Sequence, residues 1–127
     1  MGGNIGTQSS TIIVRGMATG RITVGNEGTI IFKELKTGLI LGILYGLMLG
    51  VFAGFRFLNT DPMIGVVVGL SICSSMIIAT GVGTLTPLVL GKLNIDPAIA
   101  TGPFVTTSID ILGVLLYFVI AGLLLQM

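Results

Sequence analysis

The feature that most constrains the fold is an apolar stretch over residues 98–125 that contains a single ionisable side chain, Asp110. About 20 apolar residues are enough to cross a bilayer as a helix. An aspartate within a spanning helix costs roughly 2.5 to 3.5 kcal/mol on insertion scales, so it usually faces a partner, water or an ion. Asp110 is therefore the first candidate functional residue.

The composition extends the membrane assignment to the whole chain. Of its 127 residues, 53% are hydrophobic and 9% are charged, whereas about a quarter of the residues are charged in soluble domains. The formal net charge is +1 and no block of basic residues occurs, which argues against a nucleic-acid partner. With no histidine and one cysteine, a His/Cys zinc site and an intrachain disulfide are excluded.

The pattern predicts an all-α integral membrane protein, in which residues 1–127 form one ion-permeation domain in contact with the lipid bilayer. Three full membrane helices are expected over residues 29–58, 62–90 and 97–126. A partial helix over residues 1–15 precedes them, and the glycine-rich residues 16–28 form a loop. Lys33, Glu34 and Lys36, in the first turns of the first full span, are expected to project from the bilayer.

Glycine recurs at every fourth position of that span, from Gly38 to Gly54. Small residues at this spacing predict close packing against another helix. Asp61 and Pro62 then suit the cap and first position of the next helix.

Basic residues predict the orientation in the cell membrane. They cluster at one end of the spans, as Arg15, Arg21, Lys33, Lys36 and Lys92, while Arg56 alone lies near the other. Cytoplasmic loops carry the excess of lysine and arginine. We therefore expect a multi-pass protein with loop 16–28 in the cytoplasm and the C-terminus outside.

Two helical faces carry polar residues. Asn4, Gln8, Thr11 and Arg15 share one face of the partial helix, which either lines water or forms interhelical hydrogen bonds. The second face belongs to the last span and comprises Pro103, Thr106, Asp110, Gly113 and Tyr117, with Thr107 beside them.

Within the last span, Pro103 is expected to kink the helix and to free carbonyl groups near residues 99 and 100. Carboxylate, hydroxyl and carbonyl oxygens favour Mg²⁺, Ca²⁺ or Mn²⁺. One or two carboxylates can hold hydrated Mg²⁺, and a two-fold homodimer with Asp110 near its axis would supply two. In the alternative interpretation Asp110 only fixes helix packing, although no basic residue lies at matching depth.

Two segments resemble the membrane domain of the MgtE family of magnesium channels and transporters, and the resemblance covers essentially the whole chain. The first runs from Met1-Gly2-Gly3-Asn4-Ile5-Gly6-Thr7-Gln8 through Val14-Arg15 to Ala18-Thr19-Gly20, and the second from Asp96-Pro97-Ala98 through Gly102-Pro103, Thr106-Thr107, Asp110 and Gly113 to Leu116-Tyr117.

The resemblance implies a homodimer with five membrane helices per subunit and an ion path between subunits. By this match the partial helix is similar to the inner part of the second helix, and the three full spans are similar to the third, fourth and fifth. Asp110 would hold hydrated Mg²⁺, with the backbone carbonyl of Thr106 as a neighbouring ligand. Asn4, Gln8, Thr107 and Gly113 would line the pore.

Many family members also have an acidic cytoplasmic domain, a paired CBS module and a first membrane helix. Because this sequence contains none of them, we expect a fragment, a split-gene product or a truncated form. Magnesium permeation is the first hypothesis. The alternatives are transport of another cation or a proton-coupled solute, and a non-conducting assembly subunit. An intramembrane aspartyl protease needs two carboxylates at one site, so the sequence argues against an enzyme.

Overall fold

The computed structural model describes residues 2–22, 25–97 and 102–125, and this part of the chain forms α-helices without β-strands. The helices are α1 (Gly2–Ala18), α2 (Glu27–Arg56), α3 (Met63–Lys92) and α4 (Pro103–Leu125). By length and composition α2, α3 and α4 can each cross a membrane. The predicted all-α membrane architecture, with three spanning helices and a shorter N-terminal one, is confirmed.

Helices α2 and α3 form an antiparallel pair packed through glycines. A Cβ atom added to Gly46 would lie 2.8 Å from the carbonyl oxygen of Gly69, and one added to Gly65 would lie 2.7 Å from that of Gly50. These contacts are with backbone atoms, so any side chain there would separate the helices. The close approach predicted from the glycine repeat is confirmed.

Both ends of this pair are fixed by polar contacts. In the turn before α3, the backbone N–H of Met63 donates to the carboxylate of Asp61 over 3.0 Å. The Asp61 carboxylate therefore bonds to the start of α3, but the helix begins at Met63, so Pro62 occupies the cap position that was predicted for Asp61. At the opposite end, Lys92 and Glu27 form an ion pair of 3.2 Å.

Helix α3 is central, because it packs against α1, α2 and α4, while α1 also packs against α4. The core between α3 and α4 contains Ala79, Val105 and Ile109. This arrangement places α1 beside the turn of α4 that comes just before Asp110.

Contact between α1 and α3 depends on Gly83 and Pro87. The hydroxyl of Ser10 donates to the carbonyl oxygen of Gly83 over 2.9 Å, in a buried position. In a regular helix that carbonyl accepts from the residue four positions later, here Pro87, which has no N–H. Ser10 thus satisfies a carbonyl that Pro87 leaves without its usual donor, as membrane helices require.

Most helix ends differ by one or more residues from the expected bounds, so that the expected spans 29–58, 62–90 and 97–126 are observed as α2, α3 and α4. Two of the differences affect the interpretation. Helix α1 continues to Ala18, beyond the expected end at residue 15. Pro103 is the first residue of α4, so it does not kink the described helix; the first position tolerates proline because its N–H would have no intrahelical partner. The predicted freeing of carbonyls near residues 99 and 100, and the end of that span at residue 126, lie outside the described residues.

Candidate functional site

Asp110 lies on α4, about 10 Å along the helix axis from Pro103. Its side chain is exposed on the surface of the chain. Within the described residues Asp110 forms no hydrogen bond and no ion pair. The alternative interpretation, in which Asp110 only fixes helix packing, therefore has no support from contacts of Asp110 with the described residues of the chain.

The residues around Asp110 on this face of α4 are mostly exposed and apolar. Val114 is 56% exposed and Phe118 is 64% exposed, and Thr107 is exposed as well. Gly113 lies closer to α3, since a Cβ added to it would be 3.7 Å from the hydroxyl of Ser75. Asp110 is thus an ionisable group on a surface that is otherwise suited to lipid or to another helix.

A hydrogen bond joins α4 to α1 one turn before Asp110. The hydroxyls of Thr106 and Thr7 lie 3.1 Å apart and are partly buried. On the same side, the side chain of Ile109 occupies the space that a Cβ on Gly6 would need. The absence of a side chain at Gly6 therefore lets α1 approach α4 beside the candidate site.

The polar face of α1 lines a cavity of about 830 Å³. Asn4, Gln8, Thr11 and Arg15 lie on one wall, and Glu34 lies on the α2 side. Asn4 and Gln8 are therefore brought together, whereas Asp110 and Thr107 do not line this cavity. Thr7, which also lines it, provides the connection to Thr106.

Glu34 was not singled out by the sequence as a buried residue. Lys33 and Lys36 are exposed, but Glu34 is only 9% exposed and accepts a hydrogen bond of 3.0 Å from the hydroxyl of Ser9. The signal that could have found it is its spacing, since Glu34 precedes Gly38 by four residues and extends the glycine repeat by one turn.

The ligand chemistry limits what a single chain can hold. No group of three or more His, Cys, Asp or Glu residues that could bind a metal occurs in the described ranges. A Ca²⁺ ion takes about six to eight oxygen ligands, and one exposed carboxylate supplies too few. A hydrated Mg²⁺ ion needs only one or two carboxylates, because its own waters complete the octahedron.

Comparison with known proteins agrees with this chemistry. The sequence profile of the MgtE family, described as "Divalent cation transporter", matches residues 1–120. The chain is 36% identical over 121 residues to the magnesium transporter MgtE of Bacillus subtilis, covering 95% of this chain and 26% of that protein.

Two further magnesium transporters named MgtE give similar matches. The protein of Enterococcus faecalis is 37% identical over 98% of this chain and 27% of its own length. That of Thermus thermophilus is 35% identical, with the same two coverages of 98% and 27%. The chain therefore spans about a quarter of the length of these relatives.

Proposed function

Since the chain belongs to the MgtE family of divalent cation transporters, we propose that it forms part of a Mg²⁺ pathway across the cell membrane, in which Asp110 holds the hydrated ion. The family consists of ion transporters and channels, not enzymes, so the activity sought is permeation and not catalysis. Mg²⁺ is here the transported substrate.

The proposal rests on the exposure of Asp110 and on its lack of a partner in the described part of the chain. Its carboxylate is exposed on a spanning helix and has no partner among the described residues. An aspartate that faces hydrocarbon near the centre of a spanning helix is unfavourable by roughly 2.5 to 3.5 kcal/mol on insertion scales. A hydrated cation beside the carboxylate offsets this, because the ion supplies the opposite charge and its waters supply hydrogen bonds.

We propose that the exposed face of α4 meets a second copy of the chain. Thr107, Val114 and Phe118 flank Asp110 on that face and are exposed, with no covering helix in the part of the chain that the structure describes. A two-fold axis near Asp110 would cover these side chains and would bring two carboxylates to the same ion. Each subunit would then supply one of the two ligands that hydrated Mg²⁺ can use.

The other site residues have supporting roles in this proposal. The backbone carbonyl of Thr106 lies one turn before Asp110 and would accept hydrogen bonds from water bound to the ion. The Thr7–Thr106 hydrogen bond would hold that turn in place. Asn4, Gln8, Thr107 and Gly113 would line the approach to the ion, and loop 16–28 would lie in the cytoplasm.

The test is Mg²⁺ uptake into liposomes that contain the longest natural form of the protein. Asp110→Asn removes the charge with little change in volume, and Asp110→Ala removes the ligand. We expect both variants to lose at least roughly tenfold in uptake, because each ionic contact to the ion is worth more than about 1.4 kcal/mol.

Ser108→Ala is the matched control. Ser108 lies two residues from Asp110 on α4, and its hydroxyl donates to the carbonyl of Phe104 in the same helix, at 2.8 Å. This variant should keep normal uptake. If Asp110→Asn and Asp110→Ala conduct like Ser108→Ala at equal insertion, Asp110 is not an ion ligand, and a non-conducting assembly subunit becomes the better description.

A further inference from the structure

The cavity of about 830 Å³ between α1 and α2 combines three basic side chains. Arg15 comes from the last turn of α1, Arg21 from the turn that follows it, and Lys33 from the second turn of α2. None of the three forms an ion pair in residues 2–22, 25–97 and 102–125. Three cations thus face one cavity without a counter-charge of their own.

Hydrogen bonds in the turn after α1 reverse the chain direction, and Arg21 in this turn lines the cavity. The N–H of Ile22 donates to the carbonyl oxygen of Gly16 over 3.1 Å, and the Asn26 side chain donates to the carbonyl oxygen of Arg21 over 2.8 Å. Gly20, at φ 78°, supplies the left-handed conformation that the reversal needs. The backbone therefore places Arg21 on the same cavity as Arg15.

Glu34, the one acidic residue among the described residues of the cavity wall, offsets only part of this charge. Its carboxylate is buried and accepts the Ser9 hydrogen bond. The described part of the lining therefore contains three basic side chains and one acidic side chain. Thr11 and Thr19 lie on the same lining, but their hydroxyls already donate to the carbonyl oxygens of Thr7 and Arg15 in α1. The basic side chains are therefore the main donors available to an anion.

We propose that this cavity binds a phosphate group. Arginine and lysine together are the usual partners of phosphate, because the guanidinium binds it through two parallel hydrogen bonds and the ammonium adds a point charge. The basic residues lie where α1 ends and α2 begins, which in the proposed orientation would be the level of the lipid headgroups, so either an anionic lipid or free phosphate can supply the group. Asp110 does not line the cavity, whereas Asn4 and Gln8, which would line the approach to the ion, do. Phosphate binding is therefore tested by direct titration and not by ion uptake.

The binding test uses the purified full chain in a neutral detergent, titrated separately with inorganic phosphate and with short-chain phosphatidylglycerol. Combined Arg15→Gln, Arg21→Gln and Lys33→Gln substitution should weaken binding by roughly tenfold or more. Lys36→Gln is the matched control, since Lys36 lies on the same helix as Lys33 and is exposed, but it does not line the cavity. It should leave the affinity unchanged.

Glu34→Gln gives a prediction of opposite sign. A glutamine oxygen can still accept the hydrogen bond of Ser9, while the negative charge is lost, so phosphate should bind roughly threefold tighter. Binding of both probes shows that free phosphate is sufficient, and binding of phosphatidylglycerol alone identifies a lipid headgroup. The proposal fails if neither probe binds, or if the triple variant and Glu34→Gln both bind like Lys36→Gln.

Discussion

The two sides of α3 are packed by different means. On one side, α2 meets α3 through glycine backbones, with Gly46 and Gly50 against Gly69 and Gly65. On the other side, α1 also approaches α3 closely, because a Cβ added to Gly83 would collide with the backbone of Gly6, but hydroxyl hydrogen bonds hold α1 in addition. Thr7 bonds to Thr106 of α4, Ser9 to Glu34 of α2 and Ser10 to the Gly83 carbonyl of α3.

This difference separates the structural pair α2 and α3 from the helices that carry the candidate site, α1 and α4. Glycine packing fixes α2 and α3 by close van der Waals contact, and the hydroxyl of Thr80 beside Gly38 donates back to the carbonyl oxygen of Ile77 in its own helix. The hydroxyls of α1 each contact a different helix, so a shift of α1 would alter hydrogen bonds to α2, α3 and α4 together. The polar residues of the candidate site accordingly lie on α1 and α4.

The largest expected effect is on the glycine-packed side. Gly65→Val places a branched side chain against the backbone of Gly50 and Gly54, neither of which can move without separating the helices. Overpacking of this kind costs about 3 kcal/mol. Unfolding in mixed micelles of increasing denaturing detergent, followed by circular dichroism, should show the loss.

Gly122→Ala is the control for that substitution, because a Cβ atom at Gly122 meets nothing within 4 Å. Its unfolding free energy should change by less than about 0.5 kcal/mol. Equal losses for the two variants would mean that glycine in a membrane helix, and not the α2–α3 contact, determines the stability.

A smaller effect is expected where α1 meets α3. Ser10→Ala leaves the Gly83 carbonyl buried without its donor, which should lower the unfolding free energy by about 1 to 2 kcal/mol. Pro87→Ala restores the N–H that a regular helix would offer to that carbonyl. In the Pro87→Ala background the same serine substitution should therefore have less effect, and the double-mutant cycle measures the difference. Additive losses would show that Ser10 does not compensate for Pro87.

The sequence was sufficient for the features that depend on local periodicity. Apolar length gives the three spans, and the four-residue repeat of glycine gives the face that α2 presents to α3. A contact of Asp61 with the start of α3 could also be predicted, because it involves residues two apart in sequence. Each of these signals lies within a single helix or turn.

Features that depend on contacts between distant residues were not predictable in this way. Ser10 and Gly83 are 73 residues apart, and Thr7 and Thr106 are 99 apart, so no local pattern pairs them. Pro103 fits either the interior or the start of a membrane helix, and the position of Gly102 outside α4 decides between the two. The role of Asp110 as an ion ligand stays a prediction, as do those of Asn4 and Gln8.

The smallest effect is expected at the hydrogen bond beside the candidate site. Thr7→Val keeps the shape of the side chain and removes its hydroxyl, so the unfolding free energy should fall by only about 0.6 kcal/mol, the average for hydrogen bonds between membrane helices. Thr7→Ser should preserve the bond to Thr106. Because Thr106 lies one turn before Asp110, uptake of Mg²⁺ should decrease with Thr7→Val, by roughly threefold for a change of this size, and recover with Thr7→Ser. If Thr7→Val lowers stability but not uptake, the Thr7–Thr106 bond contributes to folding only. The residues that determine uptake would then lie on α4 and not on α1.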